Sequence, residues 1–272
     1  MAAKLAILAG SGPLPAQVVA AAQAHGREVF VLAFEGETDP GLLGDLAHRW
    51  LPVGAIGRAI ETLHEEQAEE VLLIGPVRRP ALSSLGLDRR GLQLLAKLGL
   101  RGRGDDQLLR LVVEELQSEG FRVIGADELI EEALAPCGPI TRLTPDRQAM
   151  RDIELGLEVT ARLGDLDIGQ AAVVQQGQVL GVEAAEGTDA LLARCVGLRG
   201  DGRGGVLVKV KKPGQERRAD LPTIGPSTVK FAAEARLVGI AVQADHCLIV
   251  DRPQVVKAAN RKGLFVIGVT GQ

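Results

Sequence analysis

Lys4-Leu5-Ala6-Ile7-Leu8-Ala9-Gly10-Ser11-Gly12-Pro13-Leu14-Pro15 is the stretch whose reading decides the fold. A continuous apolar run, Leu5 to Ala9, stops at a glycine turn, and Leu14 to Ala24 then carries helical spacing up to Gly26. That order predicts a strand, a tight turn and a helix. Outward along the chain the pattern repeats: a strand at Val29 to Phe34, a helix near Ile56 to Gln67, a strand at Val71 to Ile74, a helix from Asp105 to Glu119 and a strand at Phe121 to Ile124. Strands this apolar, separated by helices, imply a parallel sheet covered on both faces. Residues 1–134 therefore read as a Rossmann-like N-terminal domain.

Pro136, Gly138, Pro139 and Pro145 then crowd together, which marks 135–147 as the expected linker. Beyond it a helix is expected near Asp146 to Leu163. Ala171 to Gln175 and Val179 to Val182, joined through Gln176, Gly177 and Gln178, give a hairpin signal foreign to a purely parallel domain. Strands at Val206 to Val210, near Ile240, at Leu248 to Val250 and at Leu264 to Val269 alternate with helices after Ser227 and Pro253. The fold class is thus α/β, with residues 148–272 forming a distinct mixed α/β C-terminal domain.

Composition narrows the function. Lys plus Arg number 31 against 35 Asp plus Glu, for a net charge of −4, and the aromatic residues are Trp50 and five Phe, with no Tyr. An acidic chain this poor in stacking surfaces argues against nucleic acid as a partner. Cys137, Cys195 and Cys247 have neither the even number of a disulfide framework nor CxxC spacing. The first strand begins too early to leave room for a signal peptide, and no apolar run approaches the roughly 18 residues of a membrane span. A cytoplasmic protein is expected.

Gly10, Ser11 and Gly12 fall outside the carboxyl end of the first strand, where open α/β sheets bind ligands. Pro15 stands where a dinucleotide fingerprint has its third glycine, so a plain turn competes with a phosphate cradle. Gly75, Pro76, Arg78 and Arg79 follow another strand and either pair with phosphate or face solvent. Asp105 and Asp106 open a helix; one suffices as a cap, and the other is spare for a sugar hydroxyl or a metal. Glu183, Glu186, Gly187, Thr188 and Asp189 gather before a further helix, where Thr188 or Asp189 could cap it and the remaining acids could hold a hard cation. Lys209 and Lys211 share one face of a strand, the other being Val208 and Val210, so that face is either solvated or anion-binding. Lys212, Arg217 and Arg218 extend the basic cluster into Asp220-Leu221-Pro222-Thr223-Ile224-Gly225-Pro226. Cations for phosphate charge beside one isolated carboxylate suit a polyanionic substrate with a metal.

Leu-Asp-Ile-Gly-Gln at 166–170, Glu-Ala-Ala-Glu-Gly-Thr-Asp-Ala at 183–190 and Arg-Ala-Asp-Leu-Pro-Thr-Ile-Gly-Pro at 218–226 resemble the LpxI family, the UDP-2,3-diacylglucosamine pyrophosphatases of lipid A synthesis. The likeness extends through 9–15, Gly-Pro-Val-Arg-Arg-Pro at 75–80 and Gly-Asp-Asp at 104–106. It implies two domains with substrate between them, and Mg2+-dependent hydrolysis of UDP-2,3-diacylglucosamine to UMP and 2,3-diacylglucosamine 1-phosphate (lipid X). Asp220 matches the acidic position of the DLPTIG motif and is implied as metal ligand or catalytic carboxylate; from the acid-rich loop, Glu186 or Asp189 is expected to help it hold the metal. Gln170, Glu186, Gly187, Thr188 and Asp189 match the substrate-contact segment; Leu14, Pro15, Gly75, Asp105 and Asp106 match positions near the uridine or glucosamine end. The family pattern admits Asn where this chain has Pro76.

Combining the two readings, Lys209, Lys212 and Arg218 are expected to neutralise charge while a metal-oriented water attacks phosphorus, on the sugar side by the resemblance. Two other readings stay open: a nicotinamide-dependent oxidoreductase built on the glycine turn and Glu35, and a noncatalytic UDP-sugar sensor. A transient inner-membrane contact is compatible with a diacyl substrate, and a homodimer is the common default.

Overall fold

The computed structural model describes residues 3–77, 85–101 and 105–271. It divides into two compact units, Met1–Glu131 with Glu216–Asp220, and Glu132–Gln215 with Leu221–Gln272.

In the N-terminal unit, β1 (Leu5–Ala9), α1 (Leu14–Ala24) and β2 (Val29–Phe34) are followed by the strand β3 (Ala47–Leu51), the helix α2 (Ile56–Glu65) and β4 (Glu70–Ile74). Then come the helices α3 (Arg89–Arg101) and α4 (Asp105–Ser118) and the strand β5 (Arg122–Ile124). The sheet is parallel throughout, in the order β3-β2-β1-β4-β5. Every side chain of β1 is buried, which accounts for its lack of a polar face. Ala6 and Leu8 pack with Ile60 and Leu63 of α2 and Val113 and Leu116 of α4, while α1 buries Val18, Val19 and Ala22 and touches β1 and β2. The chain reverses its direction of winding between β1 and β4, so the two loops leaving these strands share the ligand edge of the sheet.

The C-terminal unit contains β6 (Gly138–Pro139), α5 (Arg147–Asp165), β7 (Ala171–Gln175), β8 (Gln178–Val182), α6 (Thr188–Cys195) and β9 (Val206–Lys209). It continues with β10 (Thr223–Ile224), α7 (Pro226–Glu234), β11 (Gly239–Gln243), β12 (Leu248–Ile249), α8 (Arg252–Lys262) and β13 (Phe265–Val269). Its main sheet runs β6-β13-β11-β9-β7-β8; β9, β11 and β13 are parallel, and β7 is antiparallel to both β8 and β9. Helix α5 covers one face through Ala149 and Ile153 on Val206 and Val208, and α6, α7 and α8 cover the other. Gln176 and Gly177 both have positive φ in the hairpin turn, and the buried Asp152 of α5 accepts both amides, at 2.9 and 2.8 Å.

Residues 135–147, expected as a linker, are woven into the C-terminal unit. Ala135 donates to the Cys247 carbonyl at 2.8 Å, β6 pairs with β13, Thr141 Oγ1 accepts from the Val266 amide, and Asp146 caps α5. Pro139 lies in the edge strand β6, where a missing donor is harmless. Of the cysteines, Cys195 and Cys247 are buried and Cys137 is exposed. Burial pushes the Cys247 thiol up to about 12, which keeps it protonated and inert.

Candidate active site

At the ligand edge of the N-terminal unit the two loops interlock through glycines. The Gly10 amide donates to the Ile74 carbonyl at 2.8 Å, and the Ser11 amide and hydroxyl both donate to the Pro76 carbonyl, at 2.9 and 2.8 Å. A Cβ on Gly10 would stand 2.3 Å from the Gly75 carbonyl oxygen, and one on Gly75 would stand 2.6 Å from that of Ser11. Only glycine allows this approach. The Ser11 amide, expected in a phosphate cradle, is thus already spent on the neighbouring loop. Leu14 and Pro15 are buried in the packed face of α1, and Gly12 is exposed at φ +85. Arg79 and the side chain of Asp105 lie outside the described residues.

The same unit holds a segment from far along the chain. Glu216–Asp220 leaves the C-terminal unit after Gln215 and rejoins it at Leu221. Asp106 is engaged on both oxygens: its Oδ1 accepts the Glu216 amide at 2.8 Å and its Oδ2 accepts Arg110 Nε at 2.9 Å. Arg217 donates to Asp127 Oδ2 from Nε at 3.0 Å and from Nη2 at 2.8 Å. Arg218 spans both Glu216 oxygens at 2.8 Å each, which holds the Glu216 carboxyl below its ordinary value and raises the guanidinium. Asp220 ends this strap, its amide donating to the Glu216 carbonyl at 3.0 Å.

In the C-terminal unit one buried chain of hydrogen bonds joins the three motifs around 166–170, 183–190 and 218–226. Glu183, 6% exposed, accepts the Gln170 amide at 3.1 Å on Oε2 and the Thr188 hydroxyl at 2.5 Å on Oε1. Lys209, 7% exposed, donates to Thr188 Oγ1 at 2.8 Å and to the Thr223 carbonyl at 2.9 Å. Lys209 therefore does not lie on a solvated cationic face: β9 sits between β11 and β7, and both its faces are covered. The Gln170 Oε1 atom is buried without a hydrogen-bond partner, an acceptor a ligand donor could use.

Thr188 does not cap α6 either, since Gly187, at φ +80, occupies the cap position and the hydroxyl bridges Glu183 and Lys209. Asp189 lies in the first turn of α6. Glu186 accepts from the Ala184 amide and from Arg194, and its own main-chain amide and Arg194 keep its carboxyl below the usual range. Lys212 Nζ rests on Asp167 at 2.6 Å. Among the described residues no three His, Cys, Asp or Glu side chains form a metal-holding group. The carboxylates present are hard oxygen donors of the kind divalent cations such as magnesium accept.

Sequence reasoning missed Asp127 and the buried role of Glu183. Asp127 follows β5, so its place at the carboxyl edge of the parallel sheet was a usable signal.

Two family models cover the chain, the LpxI N-terminal domain over residues 4–133 and the LpxI C-terminal domain over residues 136–267. The UDP-2,3-diacylglucosamine pyrophosphatase LpxI of Caulobacter vibrioides is 42% identical over 276 residues, spanning 99% of this chain and 98% of that one. Among solved structures, the biotin carboxylase domain of the Hydrogenobacter thermophilus 2-oxoglutarate carboxylase matches with a TM-score of 0.26 and 12% identity, over 73% of this chain and 41% of that one. Both halves of the sequence, with the motifs that carry Gln170, Thr188 and Asp220, thus fall within one description, and the chain belongs to the LpxI family.

Proposed function

We propose that this protein hydrolyses the pyrophosphate of UDP-2,3-diacylglucosamine to UMP and 2,3-diacylglucosamine 1-phosphate, the lipid X step of lipid A assembly. The observation that carries this reading is the 42% identity maintained across both domains to a pyrophosphatase of that name. Asp220 is the reaction's carboxylate: it would orient the attacking water and supply a carboxylate ligand to magnesium. Magnesium, when bound, polarises phosphoryl oxygens and offsets their charge. Arg218 contacts Glu216 through Nε and Nη2, which leaves further guanidinium donors for phosphate, and Lys212 keeps two of its three N–H groups beyond its bond to Asp167. Gln170 presents its unpartnered Oε1 to a substrate hydroxyl or amide.

Among the described residues no helix is long and apolar enough to cross a membrane. The two acyl chains of the substrate place the reaction at a bilayer surface, and in this reading a cytoplasmic enzyme touches the inner membrane transiently.

Release of UMP from the acylated substrate, measured with and without chelator and after magnesium is restored, tests the function. Asp220→Ala is expected to lower turnover by roughly a thousandfold, about 4 kcal/mol of transition-state stabilisation, while leaving the fold intact. Near-normal UMP release by that variant would sink the role. Heavy-oxygen water should leave its label in the sugar phosphate, and label in UMP would refute attack on the sugar-side phosphorus.

A further inference from the structure

A hydrolytic carboxylate must be held to within a fraction of an ångström, and Asp220 stands at the end of a five-residue strap with no strand or helix of its own. What fixes the strap is therefore part of how the site works. Two acids of the N-terminal unit hold it: Asp106, from the first turn of α4, accepts the Glu216 amide, and Asp127, from the turn after β5, accepts two guanidinium bonds from Arg217. Between them the strap turns on itself, with the Ala219 and Asp220 amides both bonded to the Glu216 carbonyl, at 3.1 and 3.0 Å. Ala219 packs against the apolar core beneath the sheet. Asp127 can fold back to meet Arg217 because residue 125 is glycine; a Cβ there would lie 2.2 Å from Asp127 Oδ1.

We infer that Asp127, acting through Arg217, is a positioning residue for Asp220, with Asp106 as the second anchor. The inference rests on the reading of Asp220 as the reaction's carboxylate. The Arg217 side chain is 40% exposed, and an ion pair so accessible to water adds little to stability. Its contribution lies in geometry, where a displacement of about 1 Å lowers rate roughly a hundredfold.

The test is a double-mutant cycle of Asp127→Ala and Arg217→Ala in the full chain, assayed by UMP release with Asp220→Ala alongside and with Tm recorded for each. Expected for each single variant is a kcat loss of roughly ten- to a hundredfold with KM within about threefold and Tm nearly unchanged. The double variant should lose less than the product of the two single losses, because both singles remove the contact the two residues share. Arg217→Lys, which keeps the charge, should fall between parent and alanine variant. A kcat for Asp127→Ala within twofold of the parent, with Asp220→Ala inactive, overturns the positioning role and leaves the reading of Asp220 standing. An active Asp220→Ala overturns that reading itself. A large rise in KM confined to Arg217→Ala would make Arg217 a substrate contact and overturn the assignment, as would losses of kcat and Tm that fall together and add in the double variant.

Discussion

In the N-terminal unit the cations of the strap, Arg217 and Arg218, meet their acids at a partly exposed edge; in the C-terminal unit Lys209 meets Glu183 only through the Thr188 hydroxyl, with all three buried. The first arrangement leaves water to screen each charge, so its loss is cheap in stability and felt in position. The second removes two charges from water and relies on a complete set of hydrogen bonds, so losing one member strands another. The same residue types thus serve different ends: alignment of a loop in one unit, and a fixed relation between three sequence motifs in the other.

Lys209→Met should break the comparison hardest. It leaves the Glu183–Thr188 end of the chain buried without its cation, and a stability loss of about 3–5 kcal/mol is expected by denaturant unfolding. Adding Glu183→Gln should recover part of that loss; a loss below about 1 kcal/mol for the single variant would place Lys209 among the screened pairs instead. Gly10→Ala tests whether the N-terminal edge also contains a rigid element beside its compliant strap. The new Cβ would meet the Gly75 carbonyl oxygen at 2.3 Å, and overpacking against backbone should destabilise by about 1–3 kcal/mol, read as a lowered unfolding midpoint. The smallest effect belongs to Glu216→Gln. Arg218 holds the Glu216 carboxyl below its ordinary 4.5, so its stabilisation is present above that pH and lost as pH falls through the depressed value. The Tm difference between parent and variant should correspond to no more than about 1 kcal/mol near pH 7 and shrink as pH falls through the depressed value. A difference that persisted in acid would show that the carboxylate charge is not what holds the strap.

How legible each region was depends on what covers it. The strand, turn and helix from Leu5 to Ala24 stand where the apolar run and the helical period put them, because β1 is buried on both faces and α1 has a single packed side. Strand β3 was missed: Ala-His-Arg-Trp-Leu at the sheet edge is mostly exposed and carries no apolar run. Lys209 was misread through alternation, although Val206, Leu207 and Val208 already form an unbroken apolar run, the mark of a strand covered on both sides. Asp220 was visible because one acid closes a basic, proline-bounded stretch. Its anchors Asp106 and Asp127 were not, since their partners lie 110 and 90 residues away and no local pattern records such a pairing.

Because the strap completes the N-terminal unit from residues 216–220, that unit cannot finish assembling when its first 131 residues have left the ribosome. At synthesis rates of about 5–20 residues per second, the edge beside Asp106 and Asp127 waits roughly 4 to 17 s for its last segment. A split of the coding sequence at the boundary of the two family domains would likewise leave the first fragment without residues 216–220, which belong to its own unit.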